Sequence, residues 1–271
     1  MELNISLGQI DVALGEPETN LEKVRVLAAQ AAQRGSHFLV LPELWSTGYD
    51  LEHAGRYATK TDEGVFAAVA ELARQHGLYI LGSCLSLLGE GQYGNTAVLF
   101  NPMGQALGSY SKIHLFRLME EEQYLTAGDE LTLVETAWGP VGLTICYDLR
   151  FPEQFRAYAL DGARLIFVPS EWPHPRLAHW RTLLRARAIE NQLYVVACNR
   201  VGTSKGTGFF GHSCIVDPWG ETVIEGGEGE LLLTATINTA RVAAVRERIP
   251  IFADRRPEVY GERRQVAESF T

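Results

Sequence analysis

Three residues able to share one piece of chemistry each stand just past an expected strand. Cys146 follows residues 142–145, Glu43 follows residues 38–41, and Lys112 follows residues 105–110. A thiol can attack a carbonyl carbon as a nucleophile. A carboxylate beside it can take the thiol proton and later pass it to a leaving amine. An ammonium cannot act as a base while charged, but it can stabilise a developing oxyanion. In the stretch GLTICYDLRFPE, the proline and glutamate at 152 and 153 suit the first turn of a helix. Cys146 is therefore expected on a strand-to-helix corner, where backbone N–H groups and the helix dipole would lower its pKa and could hold an oxyanion. Any one cysteine reads most simply as inert core, and any one lysine or glutamate as surface or cap. Three such groups at strand ends read as a site, because ligands gather beyond the carboxyl ends of strands in α/β folds.

The elements that must position them follow from hydrophobic period and punctuation. Strands are expected at residues 2–10, 38–41, 79–87, 95–100, 105–110, 132–135, 142–145, 165–169, 194–199, 213–216, 221–224 and 231–237. Helices are expected from Thr19 or Asn20 to Gly35, from Asp62 to Gly77, and over 152–160, 177–190 and 239–248. Turns of the type EGQYG and NPMG make the strands between 79 and 110 antiparallel. Residues 44–60 and 111–129 read as irregular, 202–211 as a glycine-rich loop, and the chain from Ile249 as extended. The glycine-rich stretch lacks the lysine and hydroxyl residue of a phosphate loop. Mixed sheets covered by helices, in one domain over 1–260 with a polar tail at 261–271, are the expected organisation.

Composition narrows the function. Of 271 residues, 46% are hydrophobic and 21% charged, enough for a full core. A net charge of -9 argues against nucleic acid as a partner. No apolar run approaches the roughly 20 residues of a membrane helix, and the N-terminus lacks a basic region followed by an apolar one. Cys84, Cys146, Cys198 and Cys214 lie far apart, which suits reduced thiols in a cytoplasmic protein. His174, His179 and His212 are not spaced as a metal set and read as structural.

The segments FLVLPELWSTGYD, YSKIHLFRL and GLTICYDLRFPE, in that order, resemble the signature blocks of the nitrilase superfamily of carbon–nitrogen hydrolases. The resemblance runs from Gln9 to about Tyr260. It implies a four-layer α-β-β-α sandwich, a triad of Glu43, Lys112 and Cys146, and the backbone N–H of Tyr147 as an oxyanion donor. It also implies a second glutamate before the turn Ala127-Gly128-Asp129. Glu121 occupies that place, with Glu120 and Glu122 as its neighbours and rivals. Cys146-Tyr147-Asp148 resembles the amidase branches rather than nitrilases proper. SEWPHPRLAHW, RAIENQ and GHSCIVDPWG are similar to bacterial omega-amidases, which act on 2-oxo acid monoamides.

The chemistry implied is amide hydrolysis through a cysteine thioester, with release of ammonia and no metal or organic cofactor. Nitrile hydrolysis, N-carbamoyl-amine hydrolysis, acyl transfer and a non-catalytic binding role are the alternatives. A small amide with a carboxylate needs a cationic partner, for which Arg176 is the candidate and Arg117 the rival. Phe116, Tyr49 and Trp172 are the expected pocket walls. The family habit suggests a homodimer or larger assembly.

Overall fold

The computed structural model describes residues 1–260. Strands β1 (Glu2–Gln9), β2 (Phe38–Val40), β3 (Tyr79–Gly89), β4 (Gln92–Phe100) and β5 (Ala106–Ser111) come first. β6 (Leu133–Val134), β7 (Val141–Leu143), β8 (Leu165–Ser170) and β9 (Tyr194–Asn199) follow. A separate hairpin, β10 (Val201–Ser204) and β11 (Thr207–Phe210), precedes β12 (Cys214–Val216), β13 (Thr222–Glu225) and β14 (Leu231–Asn238). The helices are α1 (Pro17–Gln33), α2 (Ala54–Tyr57), α3 (Gly64–His76), α4 (Glu121–Tyr124), α5 (Pro152–Leu160), α6 (Leu177–Asn191), α7 (Ala240–Arg248) and α8 (Pro257–Tyr260).

Two six-stranded sheets result, ordered β14-β1-β2-β3-β4-β5 and β13-β12-β9-β8-β7-β6. Each has three parallel strands at its centre, β1, β2 and β3 in one and β7, β8 and β9 in the other, flanked by antiparallel partners. Parallel strands covered on both faces read as unbroken apolar runs, and residues 38–41 illustrate why. Phe38 and Val40 turn into the core between the sheets, with Leu143, Phe167 and Val196 of the other sheet. Leu39 and Leu41 turn outward, onto Val24, Leu27 and Ala28 of α1 and Phe66 and Val69 of α3. Phe155 and Tyr158 of α5 and Trp180 and Leu184 of α6 cover the second sheet. The layers are thus helix, sheet, sheet, helix, as the sequence implied.

Some boundaries differ, for local reasons. α1 begins at Pro17, not Thr19 or Asn20, because proline suits a first turn. The Asn20 amide is instead buried and ties the helix to the carbonyls of Ala13 and Ser46. α3 starts at Gly64, and the left-handed Gly77 closes it. Residues 202–211 form a hairpin, turned by Lys205 and Gly206 at φ 47° and 77°. Past Ile249 the chain turns rather than extends, with the Ala253 N–H donating to the Pro250 carbonyl, and ends in α8. The expected polar tail, 261–271, lies outside the described residues. Among those residues no helix is long and apolar enough to cross a membrane.

Candidate active site

The parallel strands bring the key loops to one edge of the sandwich. Glu43 lies just past β2, Cys146 just past β7 and Lys112 directly after β5. The loop after Glu43 is pinned to β3, where Leu44 N–H donates to Ser83 Oγ at 2.9 Å. Lys112 is held by its backbone on both sides: its N–H donates to the Asn95 carbonyl, and its carbonyl accepts from Gly128, each at 2.9 Å. A side chain at Gly128 would put its Cβ 2.2 Å from the Ser111 carbonyl oxygen, so only glycine lets the two segments meet.

Cys146 opens a 3-10 turn, Cys146–Arg150, and α5 begins only at Pro152. The corner is locked by Asp148. Its Oδ2 accepts from Ile145 N–H at 2.8 Å and from Tyr110 OH at 2.7 Å, and its Oδ1 pairs with His114 Nδ1 at 2.8 Å. Arg187 of α6 holds the same turn through the Leu149 carbonyl, at 3.0 Å. Cys146 itself has φ 43°, and Leu44 and Glu120, each next to a site carboxylate, have φ 41° and 59°. Left-handed non-glycine residues cost about 1–3 kcal/mol each and gather where geometry serves chemistry.

Glu43, Lys112 and Glu121 are fully buried. Lys112 Nζ donates to Glu43 Oε1 at 2.7 Å and to Glu121 Oε1 at 2.6 Å. Glu43 Oε1 also accepts from Asn95 Nδ2 at 2.8 Å and Tyr49 OH at 3.1 Å, and Oε2 accepts from Glu171 N–H at 2.8 Å. The Glu43 carboxylate also stands near enough to the Cys146 thiol for its charge to act on it. Glu121 is the inward member of its acidic run; Oε2 accepts from Phe116 N–H at 2.7 Å, whereas Glu120 and Glu122 are exposed.

Burial pulls the Lys112 ammonium down, but Glu121 and Glu43 outweigh it and hold the group above the usual lysine range. Burial raises the Glu121 carboxyl despite Lys112. Cys146 corrects an expectation: burial, reinforced by the Glu43 charge, pushes its thiol well up rather than down. Desolvation in the closed pocket overrides the dipole of one short turn. The resting group is a neutral thiol with an acceptor for its proton alongside.

A narrow cleft, with about 10 Å³ of free volume, is lined by Phe116, Cys146, Tyr147, Arg150, Glu171, Trp172, Pro173 and Arg176. Phe116, Trp172 and Arg176, candidates from the sequence, are among these lining residues. Arg176 lies 5.7 Å over the Phe116 ring, and Arg150 lies 5.0 Å over the Trp172 ring. Arg117 is exposed on the 3-10 turn Arg117–Met119 and is absent from this lining. Tyr49 is not a wall of this cleft; its hydroxyl donates to Glu121 Oε1 at 2.6 Å, inside the carboxylate cluster. No backbone bond occupies the Tyr147 N–H among the described residues.

Sequence reasoning missed Asn95, Asp148, Arg150 and Glu171. Glu171 follows the end of β8 as Glu43 follows β2, so the same strand-end rule would have found it. Arg150 lies in the stretch that carries Cys146. Asn95 gives no local signal, since it sits inside a strand. Among the described residues no cluster of His, Cys, Asp and Glu could hold a metal ion.

The family model for carbon-nitrogen hydrolases matches residues 4–247. The 2-oxoglutaramate amidase of Bacillus subtilis (strain 168) is 40% identical over 260 residues, covering 96% of this chain and 100% of that one. A CN-hydrolase superfamily protein from Xanthomonas campestris, solved with an arsenic adduct in its active site, superposes with TM-score 0.88 at 32% identity, covering 94% of this chain and 98% of that one. A mutant of the amidase from Nesterenkonia sp. AN1, with the acetamide moiety of fluoroacetamide on its active-site cysteine, gives TM-score 0.84 at 29% identity, covering 95% of each chain.

Proposed function

This chain belongs to the carbon-nitrogen hydrolase family, and on that premise we propose that it hydrolyses 2-oxo acid monoamides, 2-oxoglutaramate first among them, through a thioester on Cys146. This is omega-amidase activity. The observation that carries the reading is Glu43, a single buried carboxylate that accepts from the Lys112 ammonium at 2.7 Å and stands near enough to the Cys146 thiol for its charge to hold the thiol pKa up.

In this reading the sulfur attacks the amide carbon as Glu43 takes the thiol proton. The carbonyl oxygen becomes an oxyanion held by the Tyr147 N–H and Lys112, each worth on the order of 10²–10³ in rate. Glu43 returns the proton to nitrogen, the C–N bond breaks and ammonia leaves a thioester. Water then attacks the thioester carbon while giving a proton to Glu43. The C–S bond breaks, the acid departs and the proton returns to sulfur. Glu121 and Tyr49 hold Lys112 and Glu43 in place. No step calls on a metal or organic cofactor. Arg176 and Arg150 supply the positive charge for the substrate carboxylate, and Phe116 and Trp172 hold them in place by stacking.

The similarity to the Bacillus subtilis enzyme supports the choice of substrate. A coupled ammonia assay over carboxamides, N-carbamoyl amines and nitriles tests it. 2-Oxoglutaramate should be among the fastest substrates; faster turnover of a nitrile or carbamoyl compound than of any carboxamide would overturn it.

Residues 1–260 are proposed to act as one domain, in the cytoplasm, as a homodimer. Four buried free cysteines suit a reducing compartment. Leu160, Ile189 and Trp219 are exposed apolar residues of a kind that a second copy would cover.

A further inference from the structure

Glu171 has no part in the scheme above, yet it is fully buried and lines the cleft with Cys146. Its backbone N–H donates to Glu43 Oε2 at 2.8 Å, which ties it to the base. Its Oε2 accepts from Arg200 Nη1 at 3.2 Å. Arg200 is buried too and is fixed in turn, through Nη2, by Asp11 Oδ1 at 2.9 Å and the Val12 carbonyl at 2.8 Å. The other oxygen, Glu171 Oε1, has no partner among the described residues. Trp172 Nε1, on the next residue and in the same cleft lining, is also buried without a partner. Buried polar atoms are nearly always hydrogen-bonded, and an orphan beside a nucleophile calls for a ligand that completes it.

A primary carboxamide brings two N–H donors on one nitrogen. One must face Glu43, which protonates that nitrogen as it leaves. The second enters the same closed space, and leaving it unmet would cost the full desolvation of a donor. We propose that Glu171 is its acceptor: Oε1 takes the second N–H of the substrate's carboxamide, so that Glu171 contacts substrate and selects for an unsubstituted –NH2. The assignment rests on the amidase reading and adds to it the group that recognises the leaving nitrogen. Arg200 is then a positioning residue, turning the free oxygen toward the cleft by occupying the other. Burial, with Arg200 pulling the opposite way, pushes the Glu171 carboxyl up to about 8, as expected of an acceptor short of donors.

Binding to Cys146→Ala protein at pH 8.5, where the carboxylate is the larger share, tests this without turnover. The ligands are 2-oxoglutaramate and its isosteric methyl ketone, with –CH3 in place of –NH2. Calorimetry should find the amide bound more tightly by about 10-fold or more. Adding Glu171→Gln should cut that ratio by about 3-fold or more, because Arg200 will take the glutamine oxygen and turn its NH2 against the ligand's. Glu171→Ala with Arg200→Met, which removes both buried charges, should do the same. An amide preference that is absent at the outset, or that is undiminished in either folded variant, overturns the proposal. Ammonia release by the wild-type protein is read separately: its absence with every primary amide sinks the amidase reading, whereas its presence with an unchanged preference sinks only the role of Glu171.

Discussion

Glu43 Oε1 accepts a hydrogen bond from Lys112 Nζ at 2.7 Å, although 69 positions separate the two residues and neither side chain reaches solvent. Glu121 stands 2.6 Å from the same nitrogen. One cation thus serves two buried carboxylates, and the thiol proton has a prepared acceptor beside it.

Removing that cation leaves two carboxylates facing each other without a counter-charge. Lys112→Met should destabilise the protein by about 3–5 kcal/mol and lower kcat by about 10²-fold or more. Urea denaturation and the ammonia assay read the two effects. Lys112→Arg should not restore activity, since a planar guanidinium is too large for the fully buried place of a compact ammonium.

The thiol should behave as a raised, not a lowered, acid. Alkylation of Cys146 by iodoacetamide should keep accelerating as pH rises through 9, because thiolate is scarce below that. Glu43→Gln removes the neighbouring negative charge and should move the profile to lower pH. A wild-type rate already level by pH 7 would show that the corner stabilises thiolate after all.

Glu171 ties stability to pH with a definite sign. Its carboxyl is pushed up to about 8 in the folded protein by burial, against about 4.3 for an unfolded chain. Between those values the folded state keeps a proton that the unfolded state releases, so this residue's contribution to stability falls as pH rises. Glu171→Gln has no such proton. Its stability relative to wild type, from urea denaturation, should therefore be higher at pH 8.5 than at pH 5. A difference that is flat or opposite in slope contradicts the assignment.

At the cleft mouth, Arg176→Ala and Arg150→Ala should each raise KM for 2-oxoglutaramate by about 10–100-fold, the worth of a charge-assisted hydrogen bond. Monoamides without a second carboxyl group should lose far less. Equal losses for both would assign the arginines to packing over Phe116 and Trp172 instead.

Much of the frame was legible because buried parallel strands write themselves as apolar runs, so residues 38–41 and 165–169 pointed to strands and their ends to a site. Three adjacent glutamates could not be separated by letter. The left-handed Glu120 sets the turn so that Glu121 alone faces inward, and that is a property of the folded loop. Tyr49 read as an aromatic wall because its ring is apolar, while its hydroxyl reaches two carboxylates carried by other segments. Asn95, Arg200 and the orphan oxygen of Glu171 were hidden for the same reason: their partners are tertiary. The direction of the thiol's shift was misjudged from the local turn alone, since burial is set by the whole sandwich.

The most direct measurement is the intact mass of the protein quenched during turnover of 2-oxoglutaramate, followed by peptide mapping. An acyl group on Cys146 that forms with ammonia release, and is absent from a folded and inactive Cys146→Ala protein, is the predicted result. Ammonia release by Cys146→Ala, or an acyl group mapped to another residue, would contradict it.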